Sequence, residues 1–270
     1  MAHADVDGRK LFYSRRGSGE PLLLIQGMTG NHLHWGEPFV SLLDDHFETV
    51  AYDHRGAGNS DPPDGSFSMA DLASDAAAVL DAVGWETAHV FGVSMGGMLA
   101  QRLALDHPDR LRTLALGCTT AGGATATPTD REVVDTMRRL VMAGQADEAA
   151  RQSLIFNVSP AFAADRANIE PFREIARQIP PMGLAMMGLQ LQAIGTHDVA
   201  DKLGAITAPT LVLHGELDRI LPVANGRLVA ERIPGARLEI FGGVGHVFWW
   251  ERPRETAQLL REHAGVAVTQ

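Results

Sequence analysis

The chain has 270 residues, 45% of them apolar, and a formal net charge of −10; the length affords a sizeable core, and the charge argues against a nucleic-acid backbone as partner. Its one cysteine, Cys118, excludes an intrachain disulfide and argues against a Cys-based zinc site. The start, MAHADVDGRK, carries acids and lacks the apolar stretch of a signal peptide, and no run approaches the ~18 apolar residues of a membrane helix, so a cytoplasmic protein with no membrane partner is expected.

The first twenty residues read as a hairpin, with Asp7-Gly8 as the turn and Leu11-Phe12-Tyr13 in a strand. Short apolar runs then recur, each followed by glycine or a turn: PLLLIQG (21–27), TVAYDHRG (49–56), HVFGVS (89–94), LRTLALGC (111–118), PTLVLHG (209–215) and ARLEIFGG (236–243). Such runs fit strands buried on both faces of a parallel sheet. Helical patterns lie between them. Asp71 to Val83 is alanine-rich, with a serine-aspartate start and Gly84 as its stop, and Met95 to His107 ends at Pro108. The alternation predicts an α/β class fold, a mostly parallel, doubly wound sheet. From 121 to 205 the alternation stops and helical segments follow one another. The first runs over 129–144, with Thr129 as N-cap and Gly144 as stop, and Pro180-Pro181 punctuates a later part. This predicts a helical cap at 121–205 inserted into a core of 1–120 and 206–270.

One serine stands at a cramped corner, in Gly92-Val93-Ser94-Met95-Gly96. A G-x-S-x-G is weak as a bare pattern, but here it lies between a strand and a helix, as a nucleophile elbow requires. The turn lifts the hydroxyl above the sheet edge, the glycines let strand and helix approach, and the helix N-terminus aims free amides at developing negative charge. A serine nucleophile needs a base, and the base an orienting acid. On such a framework these follow in the order Ser, Asp/Glu, His. LVLHGELDRILP places Asp218 just past a strand, and LEIFGGVGHVFWWERP places His246 just past the next. Glu216 competes with Asp218 but sits earlier in its loop. His214 reads as a strand-end residue that packs or bonds backbone, and the remaining histidines lack the acid-then-His order.

DHRGAGNSD (53–61) contains Gly56-Ala57-Gly58, a fragment of a dinucleotide fingerprint, but Asp61 stands where the third glycine belongs. No P-loop and no H-E-x-x-H are present. The expectation is therefore no cofactor and no metal, with Arg55 tying loops near the site.

In order, QGMTGN, DHRGAGNSD, GVSMGG, HGELD and GVGH make the chain resemble the α/β-hydrolase fold family over nearly its whole length. DHRGAGNS, ALDHPDRL and PGARLEIF resemble, more narrowly, the capped bacterial esterases and lactonases of the 3-oxoadipate enol-lactonase and aclacinomycin methylesterase type. The resemblance implies an oxyanion hole of two backbone amides, that of Met95 after the nucleophile and that of Met28 in the loop after PLLLI. That loop usually begins His-Gly; here it begins Gln26-Gly27, and the Gln26 amide both donates and accepts. A cap facing the serine makes Met182 and Met186 candidates for an apolar substrate wall, against the alternative that they are core. Trp249, next to Trp250, and Trp35 are candidates on the same terms.

The function these readings imply is cofactor-independent hydrolysis of a small to medium apolar ester or lactone by Ser94, His246 and Asp218 through an acyl-enzyme, in a monomer or homodimer. A serine nucleophile speaks against dehalogenase and epoxide hydrolase chemistry, which in this family uses a carboxylate. Carbon–carbon or thioester hydrolysis or perhydrolysis by the same triad, and a pocket-only role in ligand binding or cyclisation, remain open.

Overall fold

The computed structural model describes residues 2–179 and 181–265. β1 (Ala2–Val6) and β2 (Arg9–Gly17) form an antiparallel hairpin. Asp7 (φ 51°) and Gly8 (φ 79°) both take left-handed backbone at its turn, the conformation whose twist matches that of the flanking strands. Six further strands follow: β3 (Glu20–Ile25), β4 (Phe47–Tyr52), β5 (Ala88–Val93), β6 (Leu111–Gly117), β7 (Thr210–Gly215) and β8 (Arg237–Phe241). The sheet order is β1-β2-β4-β3-β5-β6-β7-β8. The hairpin is antiparallel to its neighbours, and every pair from β4 through β8 is parallel.

The early helices are α1 (Glu37–Val40), α2 (Met69–Ala82) and α3 (Met95–Asp106). Between β6 and β7 come α4 (Arg131–Met142), α5 (Ala146–Asn157), α6 (Pro160–Ala164), α7 (Arg166–Gln178) and α8 (Leu184–Gly195). α9 (Ala224–Arg232) joins β7 to β8, and α10 (Phe248–Glu251) and α11 (Pro253–Ala264) end the described chain. α2 begins two residues earlier than its alanine run suggests, because Ser68 and Asp71 cap each other's backbone amides. Asp130, not Thr129, caps α4: its side chain accepts the Glu132 amide at 2.8 Å, and its carboxylate and backbone amide both bond to Arg219. Of the Pro180-Pro181 pair, Pro180 lies outside the described residues.

Successive strand residues point to opposite faces. Leu23, Ile25, Val90, Leu114, Leu116 and Val212 face a core shared with α2 and α3. Leu22, Leu24, Phe91, Val93, Leu211 and Leu213 face a second core with Phe39, Phe248 and Leu260. Covering both faces explains why the strands read as unbroken apolar runs. Between β6 and β7 the described residues form helices, apart from one isolated bridge, Gly122 to Asp198, which ties the two ends of this helical excursion together.

β5 and α3 meet closely. A Cβ on Gly96 would lie 2.2 Å from the Ile25 carbonyl oxygen and 2.5 Å from that of Gln26, and one on Gly92 would lie 2.3 Å from the Gly96 carbonyl oxygen. Backbone cannot yield as a side chain tip can. Gly96→Ala is expected to lower the unfolding free energy by about 3 kcal/mol, whereas Gly188→Ala, mid-α8 with no atom within 4 Å of the new Cβ, should raise it by about 0.5–1 kcal/mol. Urea denaturation of the two variants beside wild type checks both signs.

Candidate active site

Ser94 stands between β5 and α3 with φ 57° and ψ −121°. A non-glycine residue in such geometry costs of order 1–3 kcal/mol and persists only when its surroundings over-determine it. Here they do. The Ser94 amide donates to Gly117 O at 2.8 Å, and its carbonyl accepts the Thr119 hydroxyl at 2.8 Å and the Gly97 and Met98 amides at 3.0 and 3.1 Å. Ser94 is half-buried. Gly27 lies against it, since a Cβ there would stand 2.9 Å from Ser94 Cβ and 3.4 Å from its Oγ.

The loop after β8 folds back over the end of β7. A Cβ on Gly215 would meet Gly245 O at 2.0 Å, and the Leu217 amide donates to Val244 O at 2.8 Å. This return brings His246 onto Asp218, with His246 Nδ1 2.7 Å from Asp218 Oδ2. It also sets the imidazole beside the Cys118 thiol at the end of β6, the strand next to the one that ends at Ser94. Both members of the pair are buried, Asp218 at 5% exposure and His246 at 4%. Asp218 Oδ1 accepts the Ile220 and Leu221 amides at 2.8 and 2.9 Å. His214, fully buried, brings Nε2 to 3.2 Å from Asp218 Oδ2 while donating to Leu221 O at 2.7 Å. Burial works against the Asp218 charge, but His246, His214 and their hydrogen bonds outweigh it and hold the carboxyl at about 2. For His246, burial opposes protonation, and the Asp218 charge and hydrogen bond overcome it, raising it well above the ordinary histidine range. The Cys118 thiol is itself pushed up by burial, so it stays neutral and the charge acting on His246 is that of Asp218. Glu216 is spent elsewhere: its carboxylate accepts the Gly243 amide at 2.9 Å.

The loop after β3 is a tight turn. Gln26 Oε1 accepts the Gly27 amide at 3.1 Å, Gly30 N donates to Gly27 O at 3.1 Å, and His54 Nε2 donates to Gln26 O at 2.8 Å. Thr29 sits at φ 62°, and its amide donates to Gln190 Oε1 of α8 at 2.9 Å. Among the described residues no acceptor takes the Met28 amide. Met95 is the first residue of α3, a position whose amide has no intrahelical acceptor. Arg55 pairs with buried Asp75 of α2 at 2.6–2.7 Å, a structural contact. His32 also meets a carboxylate, Asp53 at 2.9 Å, which in addition accepts the His32 and Asn59 amides; this Asp–His contact ties two loops together.

Two of the candidate substrate residues are placed otherwise. Trp35 is fully buried, its ring centroid 5.2 Å from that of Phe91, 5.6 Å from Trp249 and 5.9 Å from Phe39. Trp249 is 3% exposed and donates Nε1 to His34 O at 3.2 Å. Both fill the second core, where the sheet demands large apolar volume, and neither walls a cleft. Met186 packs over the DHRGAG loop, with its Sδ 2.4 Å from where a Cβ on Gly56 would lie; Met182 is half-buried just ahead of α8. A cavity of about 420 Å³ opens beneath α7, between Leu33, Val40, Ile175 and Trp250, and does not include Ser94, Asp218 or His246. No group of three or more His, Cys, Asp or Glu side chains among the described residues is placed to hold a metal ion. None of the described helices is long and apolar enough to cross a membrane.

Sequence reasoning missed Glu251. Its carboxylate accepts the Gly245 amide at 2.8 Å, one residue before His246, and the Ser159 amide at 2.9 Å and the Ser159 hydroxyl from the helical excursion. It also missed that His214 reaches Asp218 and that Gln190 reaches Thr29. No local pattern announces these contacts.

A sequence profile of the α/β hydrolase fold matches residues 20–253. The chain belongs to the α/β-hydrolase fold family. Within the family, it is 30% identical over 248 residues to a protein named as a carbamate hydrolase, RutD, of Azorhizobium caulinodans, covering 92% of each chain. It is 32% identical to the poly(3-hydroxyalkanoate) depolymerase of Ectopseudomonas oleovorans, covering 89% of this chain and 82% of that one. Among solved structures it superposes on the enol-lactonase of Burkholderia xenovorans LB400 with a TM-score of 0.80 at 25% identity, covering 98% of this chain and all of the other. The enzyme class is thus hydrolase, and esterase- and lactonase-like members are among its neighbours.

The Asp218–His246 pair gives a signed pH dependence. A carboxyl held at about 2 against 3.8 contributes about 2 kcal/mol above pH ~4, and loses it as pH falls toward 2. The raised His246 contributes fully below its unfolded value and loses its share as pH rises through the folded one. Urea midpoints from pH 2 to 9 should fall steeply below pH ~4 in wild type, and flatten there in Asp218→Asn.

Proposed function

We propose that the protein is a serine hydrolase that cleaves the carboxylic ester or lactone bond of a small to medium apolar substrate. Residues 121–205 act as a cap over a core of 1–120 and 206–270. The observation that carries this reading is the buried Asp218–His246 pair, 2.7 Å apart, delivered beside Cys118 at the strand end next to the left-handed Ser94.

Asp218 accepts from Nδ1–H, which fixes the tautomer and leaves Nε2 of neutral His246 as the base. Ser94 Oγ attacks the carbonyl carbon as His246 takes its proton. The carbonyl π electrons move to oxygen, and the amides of Met28 and Met95 receive that oxyanion. Collapse of the tetrahedral species breaks the carbonyl carbon–oxygen bond to the leaving alcohol, which takes the proton back from His246. Water repeats the sequence on the acyl-enzyme, releases the acid and restores Ser94. No step calls on a cofactor. The depolymerase and the enol-lactonase support an oxygen leaving group. The similarity to the protein named as a carbamate hydrolase favours one second reading, the same residues acting on a carbamate.

Hydrolysis of p-nitrophenyl esters of rising acyl length tests the proposal. Wild type should turn over short esters, and Ser94→Ala should lose at least ~10³-fold in kcat/KM. Because His246 must be neutral to act, kcat/KM should rise with pH through a midpoint above 6.5. Folded wild-type protein that is inert on esters and lactones alike sinks the ester reading, and carbamate substrates then decide the second one.

A further inference from the structure

The cap helix α8 touches the oxyanion loop through a fully buried side chain. Gln190 is 0% exposed, and its Oε1 accepts the Thr29 amide at 2.9 Å across 161 residues of sequence. Thr29 is β-branched at φ 62°, at the third position of the turn that Gly30 N closes onto Gly27 O; a positive φ there suits glycine, and a β-branched residue holds it only with support from outside the turn. Gln26 therefore holds the amide before Met28 and Gln190 the amide after it, and among the described residues the Met28 amide between them meets no acceptor. The orientation of both carboxamides follows, since a flipped group would set NH2 against a backbone N–H. Among the described residues both Nε2 groups are then buried without a partner, a penalty that a residue kept only for packing would not carry.

We infer that Gln190 is a positioning residue for the oxyanion loop, so that the seating of the cap on the core fixes where the Met28 amide points. The inference rests on the serine hydrolase reading for its catalytic consequence, and on the Thr29 contact alone for its structural one. Gln190 touches no reacting atom in this scheme. It acts through Thr29 on the donor next to it.

Two variants separate the hydrogen bond from the volume. Gln190→Met keeps length and shape and loses the acceptor; Gln190→Glu, uncharged when so buried, keeps a carbonyl oxygen toward Thr29. With p-nitrophenyl esters, Gln190→Met should lose about 10–100-fold in kcat with KM changed less than about threefold. Its affinity for a trifluoromethyl ketone, which presents the same tetrahedral oxyanion, should fall in parallel. Gln190→Glu should recover kcat to within about fivefold of wild type. Equal losses in the two variants, or a raised KM with kcat intact, overturn the inference. Amide hydrogen exchange at Thr29 reads the contact without turnover: it should quicken in Gln190→Met and stay slow in Gln190→Glu, and unchanged exchange in Gln190→Met overturns the inference. Should wild type prove inert on every ester while the exchange result stands, the hydrolase reading falls and the positioning of the loop by Gln190 remains.

Discussion

For Ser94 to stand at φ 57° and ψ −121°, β5 and α3 must close on each other until no Cβ fits between them. That demand propagates outward. Gly92 and Gly96 are required by each other and by the β3 carbonyls. Gly97 is required because Thr119 packs onto it, 2.6 Å from where a Cβ would lie, in order to bond Ser94 O. Gly27 is required because the loop after β3 runs over the serine itself. One strained residue thus specifies a ring of glycines drawn from three other segments, and that ring is why the elbow does not relax.

The electrostatic half of the site obeys a different constraint. A carboxylate at 5% exposure is tolerable only if its oxygens are filled. Asp218 has two backbone amides on Oδ1 and two imidazoles near Oδ2. His214 is costly to place there. Among the described residues its Nδ1 is buried without a partner, and Gly226 must lack a Cβ because one would stand 2.4 Å from that nitrogen. The cost is explained by what His214 does: it donates to Leu221 O in the Asp218 loop and adds a second ring beside the carboxylate. Removing one donor would leave a buried charge underpaired.

What the sequence made legible divides along the range of the contacts. The elbow is local: five residues and the strand–helix junction around them suffice, as do the Asp7-Gly8 turn and the six apolar runs. That Asp218 and His246 would meet was readable because chain order along parallel strands survives in one dimension. Depth does not. Trp35 and Trp249 flank the loops in sequence as wall residues would, and only the packing of the second core shows them buried. The one-residue error at the α4 cap has the same origin, because Thr129 and Asp130 are equally good caps until Arg219, 89 residues away, claims Asp130. Gln190 and Glu251 were invisible for a stronger reason: each is polar, mid-helix or helix-terminal, and reads as solvent-facing until its distant partners are known.

Those two residues also show how the labour of the fold is divided. Ser94 and Asp218 are fixed by the sheet and by loops folded directly on it. The other two parts, the loop after β3 and the His246 loop, are each tied to the excursion between β6 and β7. Gln190 holds Thr29 at one end. At the other, Glu251 holds Gly245 and Ser159 together, Val247 N donates to Asn157 O at 3.0 Å, and Gly245 lies so close that a Cβ would meet the Val158 carbonyl carbon at 2.6 Å. A helical insertion that merely covered a cleft would need apolar contact alone. One that bonds backbone amides beside His246 and beside the Met28 amide transmits its own position to both, so a movement of these helices shifts the two together.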